Sequence, residues 1–347
     1  MFKKDRKISY LVGLMLLMLT FTYKNVYAIA KETDRNFKRI TIDDGLSQGS
    51  ITEIMQDSKG YMWIGTRDGL NKYNGSKFKV YKYSDSNENS ISGNRITAIE
   101  EDSLGNIWVG TNTGLNKINP VTNQITKYLP EENGCNISQY MIRTIMVAQN
   151  GDIFVGTDDG LNKYDEESDN FIRVYHSSDE SKGLSNQEIY SMVEDINGDY
   201  WVGTKNGLNK IEKSSEKIEK YFSEQENKQS ISFNFINSLY ADPRGYLWIG
   251  TYYGGLNKFN LRTEEFEYFS INDGSGLPGA LIRDILVDSR GKLWVATDYG
   301  VATLDEGSNE FTTYNFSNYN INNVVGNEIL CIAEERSGAI WLSLIHI

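Results

Sequence analysis

The segment "YMWIGTRDGLNKY", residues 61–73, returns along the chain as "NIWVGTNTGLNKI" (106–118), "DIFVGTDDGLNKY" (152–164), "DYWVGTKNGLNKI" (199–211) and "YLWIGTYYGGLNKF" (246–259). Aligning on its aromatic residue extends the series to Trp63, Trp108, Phe154, Trp201, Trp248, Trp294 and Trp341, spaced 45 to 47 residues apart, and every tryptophan of the chain is one of these anchors. Upstream of each anchor a turn glycine recurs in all seven copies: Gly60, Gly105, Gly151, Gly198, Gly245, Gly291 and Gly338. A fixed period with insertions confined to part of the unit is the mark of a repeat architecture, in which each unit buries its apolar faces against its neighbours.

One unit can be read strand by strand. The run from Ile96 to Glu101 is β-branched and apolar enough for a buried strand, and "DSLG" is a turn in which Asp102 caps backbone N–H groups. "NIWVGT", "LNKIN" and "ITKYL" come next as three further strands, separated by a tight turn at Gly114 and the polar "PVTNQ". Four strands joined by hairpins form a small antiparallel sheet, marginal alone because both faces are apolar. The repeat therefore predicts an all-β fold: a seven-bladed β-propeller of four-stranded antiparallel blades over residues 37–341, with an incomplete last blade. The tryptophans, or Phe154, are the expected wedges between blades. "FKRITIDDGLS", ahead of the first core, is expected to supply an outer strand that fastens the ring. "LSLIHI" (342–347) matches no further part of the repeat and reads as a truncation scar.

The chain opens with a basic "MFKKDRK", an apolar run from Tyr10 to Phe21, and "AIA" at 28–30, so residues 1–30 read as a signal peptide or an N-terminal membrane anchor. The chain from Lys31 onward is expected to be exported and to stand on the extracytoplasmic side of the membrane. Net charge is −12, and the first thirty residues hold five bases against one acid, so the remainder carries −16 and repels nucleic acid and anionic lipid. Cys135 and Cys331 fall in non-adjacent repeats and are expected to stay unbridged.

These repeats resemble the two-component regulator propeller repeat, in the pattern D-x-x-G-x-x-W-[IV]-G-T-x-x-G-L-N-[KR]. Ala148, Phe154 and Ala296 depart from it, as drift within a scaffold. The resemblance implies a sensory ectodomain of a membrane hybrid histidine kinase or diguanylate cyclase. In such receptors this propeller precedes a second propeller, a β-sandwich, a transmembrane helix and a signalling domain. It implies as partners the downstream propeller and sandwich of the same receptor, which would be a homodimer.

Chemistry has little to build on. His176 and His346 are the only histidines, so neither a metal cluster nor a Ser-His-Asp set is expected, and no cofactor is expected. Asp57, Asp102, Asp195, Asp242 and Asp288 sit at turn-cap positions, three residues before the glycine, where the Asp-box of sialidases has two. "DSNENS" (85–90) begins like a calcium loop but lacks its glycine and closing glutamate. A carboxylate-only mechanism leaves a secreted polysaccharide-acting enzyme as one alternative, and a cell-surface interaction module is another.

Binding is the stronger reading. Loops joining the outer strand to the next inner strand, and the second strand to the third, gather at the channel mouth. Mouth positions vary between copies, with Ser50, Arg95, Met141, Glu188, Phe235, Leu281 and Glu328 at one level, and Thr52, Thr97, Arg143, Tyr190, Asn237, Arg283 and Leu330 at the next. Only the fifth copy lengthens the second turn, with Tyr252, Tyr253 and Gly254. Rings beside Arg and Asn suit a carbohydrate or another small extracellular ligand, and the candidate contacts are Arg95, Arg143, Tyr190, Asn237, Tyr252, Tyr253, Arg283 and Tyr299.

Overall fold

The computed structural model describes residues 38–130, 137–176, 183–227, 229–314 and 328–344. The chain divides into two compact units, Met1–Ile40 and Thr41–Ile347. Of the first, residues 38–40 are described and are coil; the expected signal or anchor lies outside the described residues, as does Cys135. All the sheets belong to the second unit.

Six sheets of four strands occupy 51–81, 96–128, 142–174, 189–221, 236–269 and 282–314, with the strands in chain order across each sheet. These are blades 1 to 6. The seventh repeat forms only a two-stranded hairpin, Ile329–Glu334 with Ile340–Leu344. This corrects the expectation of seven blades with the last incomplete: among the described residues the propeller has six blades of four strands, and the seventh repeat pairs only its first two strands. The hairpin's second strand runs through Leu342 and Ser343 of the segment set aside as a scar, and the Ser343 hydroxyl accepts the Leu330 and Cys331 N–H groups at 3.0 and 2.9 Å. Thr41 caps a single 3₁₀ turn, Ile42–Asp44, where the sequence predicted an outer strand. A local Thr-Asp capping box has taken up the backbone there.

The inner strands of successive blades pack side by side, and the hairpin's first strand lies between those of blades 6 and 1. At that junction the Arg336 guanidinium donates to the Asp57 and Ser58 carbonyls at 3.0 and 2.8 Å, joining residues almost 280 positions apart. Trp341 meets Tyr73 edge-on at 6.3 Å.

The repeated residues are what holds one blade to the next. The second strand of every four-stranded blade is wholly buried over its last five residues, as in Met62–Thr66. The glycine that this strand carries in blades 1 to 5, where blade 6 has Ala296, allows close approach: a Cβ on Gly65, Gly110, Gly203 or Gly250 would lie 2.6 Å from the Cγ2 of an isoleucine of the next blade. Trp63, Trp108 and Trp201 are fully buried. Each such indole removes about 200 Å² from water, on the order of 5 kcal/mol. A buried indole N–H needs an acceptor, and the turn aspartate provides it: Trp63 to Asp57 at 2.8 Å, Trp108 to Asp102 at 2.9 Å, Trp201 to Asp195 at 2.7 Å. In the hairpin Glu335 does the same for Trp341 at 2.9 Å. A half-buried serine with a buried threonine and asparagine, such as Ser47, Thr66 and Asn71, satisfy one another and the mouth loop's backbone.

A second ring completes the wedge. The outer-strand residue beside the third strand's leucine or valine is Tyr81, Tyr128, Tyr221, Phe269 or Tyr314, and lies 5.6 to 6.3 Å from its blade's indole. Blade 3 alone lacks all three parts, having Ala148 for the aspartate, Phe154 for the tryptophan and Val174 for the outer ring.

Candidate functional site

The mouth of blades 3 to 5 carries an unbroken row of aromatic contacts. It begins with Arg143, second residue of the inner strand of blade 3, whose Nε donates to Asp158 at 2.6 Å and whose guanidinium lies 4.7 Å over the Tyr190 ring. Burial works against the Arg143 charge, but the Asp158 hydrogen bond and the attraction of Tyr190, Asp158 and Glu188 together more than offset it, and the pKa is raised. Tyr190, at the same position of blade 4, meets Phe235 at 4.6 Å, and Phe235 stacks on Tyr252 at 4.7 Å with planes 9° apart. Tyr252 touches Tyr253 edge-on at 4.6 Å, and Tyr253 meets Phe233 at 6.1 Å. Burial is the first cause of the raised Tyr190 pKa, so this phenol stays neutral well above physiological pH. The row passes from half-buried rings to Tyr253, which is 65% exposed. Beside it Lys205 pairs with Glu188 at 2.8 Å.

The local sequence explains the row. Phe235 stands directly before the buried Ile236, and "FNFIN" places Phe233 and Phe235 two apart, on one side of an extended chain. The lengthened "TYYGG" turn carries Tyr252 and Tyr253 over them; its Gly255 has φ of 80°, and a Cβ there would strike the Phe269 carbonyl at 2.3 Å.

Of the eight expected contacts, Arg143, Tyr190, Tyr252 and Tyr253 come together here. Asn237 is instead a strut, donating from Nδ2 to the Ile282 carbonyl of the next blade at 2.7 Å. Arg283 pairs with Glu328 on the hairpin side. Arg95 is exposed at the start of the inner strand of blade 2, and Tyr299 is 66% exposed in the second turn of blade 6. Phe233 and Asp158 are the additions that sequence reasoning missed. Phe233 could have been found from its alternation with Phe235, a mouth position.

A different environment lies along the inner strands. Glu53, Glu100 and Asp284 are partly accessible there yet enclosed by neighbouring blades, and burial is the main cause of their raised pKa values. Asp284 is pushed up to about 6 and Glu100 to about 7; Glu53 is raised well above the usual range, with Asp284 and Glu100 adding to the effect. Asp284 is also structural, accepting the Ile332 N–H of the hairpin at 2.7 Å. The buried thiol of Cys331 shares this region and is pushed up by burial. Among the described residues no group of His, Cys, Asp and Glu is arranged to hold a metal ion. The mouth assembles rings and paired ions, a set suited to binding a flat ligand face and fixing its polar edge.

Five segments, 45–68, 90–113, 183–206, 230–253 and 276–299, match the sequence profile of the two component regulator propeller; the third and seventh repeats fall outside them. A histidine kinase of Formosa agariphila is 41% identical over 81 residues, 23% of this chain and 6% of that protein. The extracellular domain of a hybrid two-component system from B. thetaiotaomicron superposes with a TM-score of 0.74 at 25% identity, covering 88% of this chain and 40% of that one. Virginiamycin B lyase from Staphylococcus aureus shares the fold, with a TM-score of 0.64 at 15% identity over 86% of this chain and 93% of its own. The chain thus spans well under half of the two-component relatives it matches.

Proposed function

We propose, for a chain that belongs to the two-component regulator propeller family, that this propeller is the extracytoplasmic ligand-sensing part of a bacterial membrane receptor of the histidine kinase type. The observation that carries the reading is the likeness over 88% of the chain to the extracellular domain of a hybrid two-component system. In this reading residues 1–30 direct export, and the signalling activity belongs to another part of the receptor. The ligand is a carbohydrate, bound at the mouth of blades 3 to 5. Tyr253 and Phe233 offer the stacking face, and the paired Arg143 and Asp158 offer a donor and an acceptor for hydroxyls. Bound ligand would shift how the propeller packs on a downstream propeller and sandwich of the same homodimeric receptor.

The test is calorimetric titration of the purified protein with a panel of oligosaccharides. A binding sugar should lose at least tenfold in affinity with Tyr253→Ala or Arg143→Ala, both variants keeping the β-sheet circular dichroism of the parent. A sugar that binds both variants as well as the parent, or a panel with no binder, rejects the mouth as the sensing site.

A further inference from the structure

We infer that the junction of blades 3 and 4 holds a second binding site, separate from the mouth, for a small electron-rich aromatic molecule of the indole or phenol class. A cavity of about 450 Å³ opens there, with Phe154, Val174, Tyr175 and Tyr200 in its walls and Lys163 and Lys213 beside them. Its origin is in the sequence. In the other five blades the corresponding space holds an indole against a second ring, and blade 3 has Phe154 and Val174 instead. Blade 4 faces it with Ile211 and Ile218, whereas blade 3 turns the larger Tyr164 and Phe171 toward Trp108. The missing volume is that of aromatic rings.

What remains of the wedge is suited to hold a ring. The third-strand lysine lies over the indole in four blades: Lys72, Lys117, Lys210 and Lys258 stand 5.0, 5.2, 5.9 and 5.5 Å from the ring centroids. Lys163 keeps that place, 5.7 Å over Phe154, and is held by Asp152 at 2.8 Å. A cation fixed over a ring-sized space attracts the electron-rich face of an aromatic. Lys213 reaches in from the other blade, 5.2 Å over the Tyr200 ring, tied to Glu194 at 3.1 Å.

An independent observation marks the site as built for a polar aromatic. Tyr200 is 4% exposed and stands in the wall of this cavity, with its hydroxyl enclosed and making no hydrogen bond of good geometry. The Lys213 ammonium is set against that oxygen, a contact that raises the lysine's pKa, though it falls short of good hydrogen-bond geometry. A buried hydroxyl so poorly paired is costly, and an indole N–H or a phenol O–H that displaces Lys213 would satisfy it. Tyr175 adds a third ring from a backbone φ of 52°; it is the one aromatic among the described non-glycine residues in the left-handed region, a strained conformation that is retained where a position must be held. Both lysines are already paired, so the cavity presents no unbalanced cation, which favours a neutral ligand over an organic anion.

Titration of the full chain with indole and with phenol, followed by saturation-transfer NMR and calorimetry, tests this. Saturable 1:1 binding is expected for both, with none for glucose at this site. The filling variant A148D/F154W/V174Y should lose binding at least twentyfold, and Tyr253→Ala should leave it unchanged. Should the filling variant not fold, Tyr200→Phe decides: it should weaken indole and phenol about fivefold while leaving toluene unaffected. No binding of indole or phenol, binding equal in the filled protein, equal weakening of toluene by Tyr200→Phe, or loss with Tyr253→Ala each overturns the proposal.

Discussion

Blades 2 and 3 are adjacent, share a strand plan, and differ at the same three places. In blade 2, Trp108 is fully buried, donates to Asp102, stacks on Tyr128 and meets Tyr164 and Phe171 of the next blade edge-on. In blade 3 the corresponding residues are Phe154, Ala148 and Val174. Each of these alone would be a loss. Together they are consistent, because a phenyl ring carries no N–H, so an alanine in place of the aspartate leaves no buried donor unsatisfied. The turn cap that the aspartate also provided passes to Asn150, whose Oδ1 accepts the Asp152 N–H at 3.1 Å. The exchange that looked like drift in the sequence is a coordinated substitution of one packing unit.

That comparison is easiest to break at the wedge itself. Trp108→Ala should cost about 4 kcal/mol, since it opens a cavity and strands Asp102, whereas Phe154→Ala should cost about 3 kcal/mol or less because no acceptor is stranded. Midpoints of guanidinium unfolding at unchanged slope would measure both, and the opposite order would end the claim that blade 2 carries the stronger wedge.

The inner strands differ too, with Glu100 facing Trp108 across the sheet where blade 3 sets Met146 opposite Phe154. Burial raises the Glu100 pKa from the usual 4.5 to about 7, so its protonated form is favoured in the folded state. Below about pH 4 the group therefore costs nothing, and stability falls as pH rises from there to about 7, by on the order of 2 kcal/mol. Glu100→Gln should remove that decline while leaving stability at pH 4 unchanged. Denaturant midpoints at pH 4 and pH 8 check it, and an unaltered pH slope would mean that Glu100 is ionised and solvated when folded.

Much of this was legible from the repeat. The anchor tryptophans, the turn aspartates and the strand order come from spacing alone, and the repeat also carried Arg143, Tyr190, Tyr252 and Tyr253 to one mouth. What the spacing could not supply was that the seventh copy is a two-stranded hairpin and not a blade. A repeat counted by its first two strands registers as a seventh copy, although Ile329–Leu344 holds no third strand. Nor could it separate Asn237, spent on a neighbouring carbonyl, from Tyr190 at the same position, because that depends on which side chain reaches across a blade gap. Val174 was hidden for a similar reason: the turn before the outer strand varies in length, so its alignment with Tyr128 is visible only from the ladder that pairs it with Leu161.

The finest test exchanges the two units by halves. Phe154→Trp alone buries an indole N–H with no acceptor and should destabilise blade 3 by about 1 kcal/mol, even though the added ring fills part of the cavity. Ala148→Asp alone places a carboxylate at the turn with no indole to pair with it and should also be mildly unfavourable. The double variant restores the Trp–Asp pair found in the other four-stranded blades, so a double-mutant cycle should show a favourable coupling of about 1 kcal/mol. Additive effects would mean that the two positions do not sense one another, and that blade 3 lost its tryptophan and its aspartate independently.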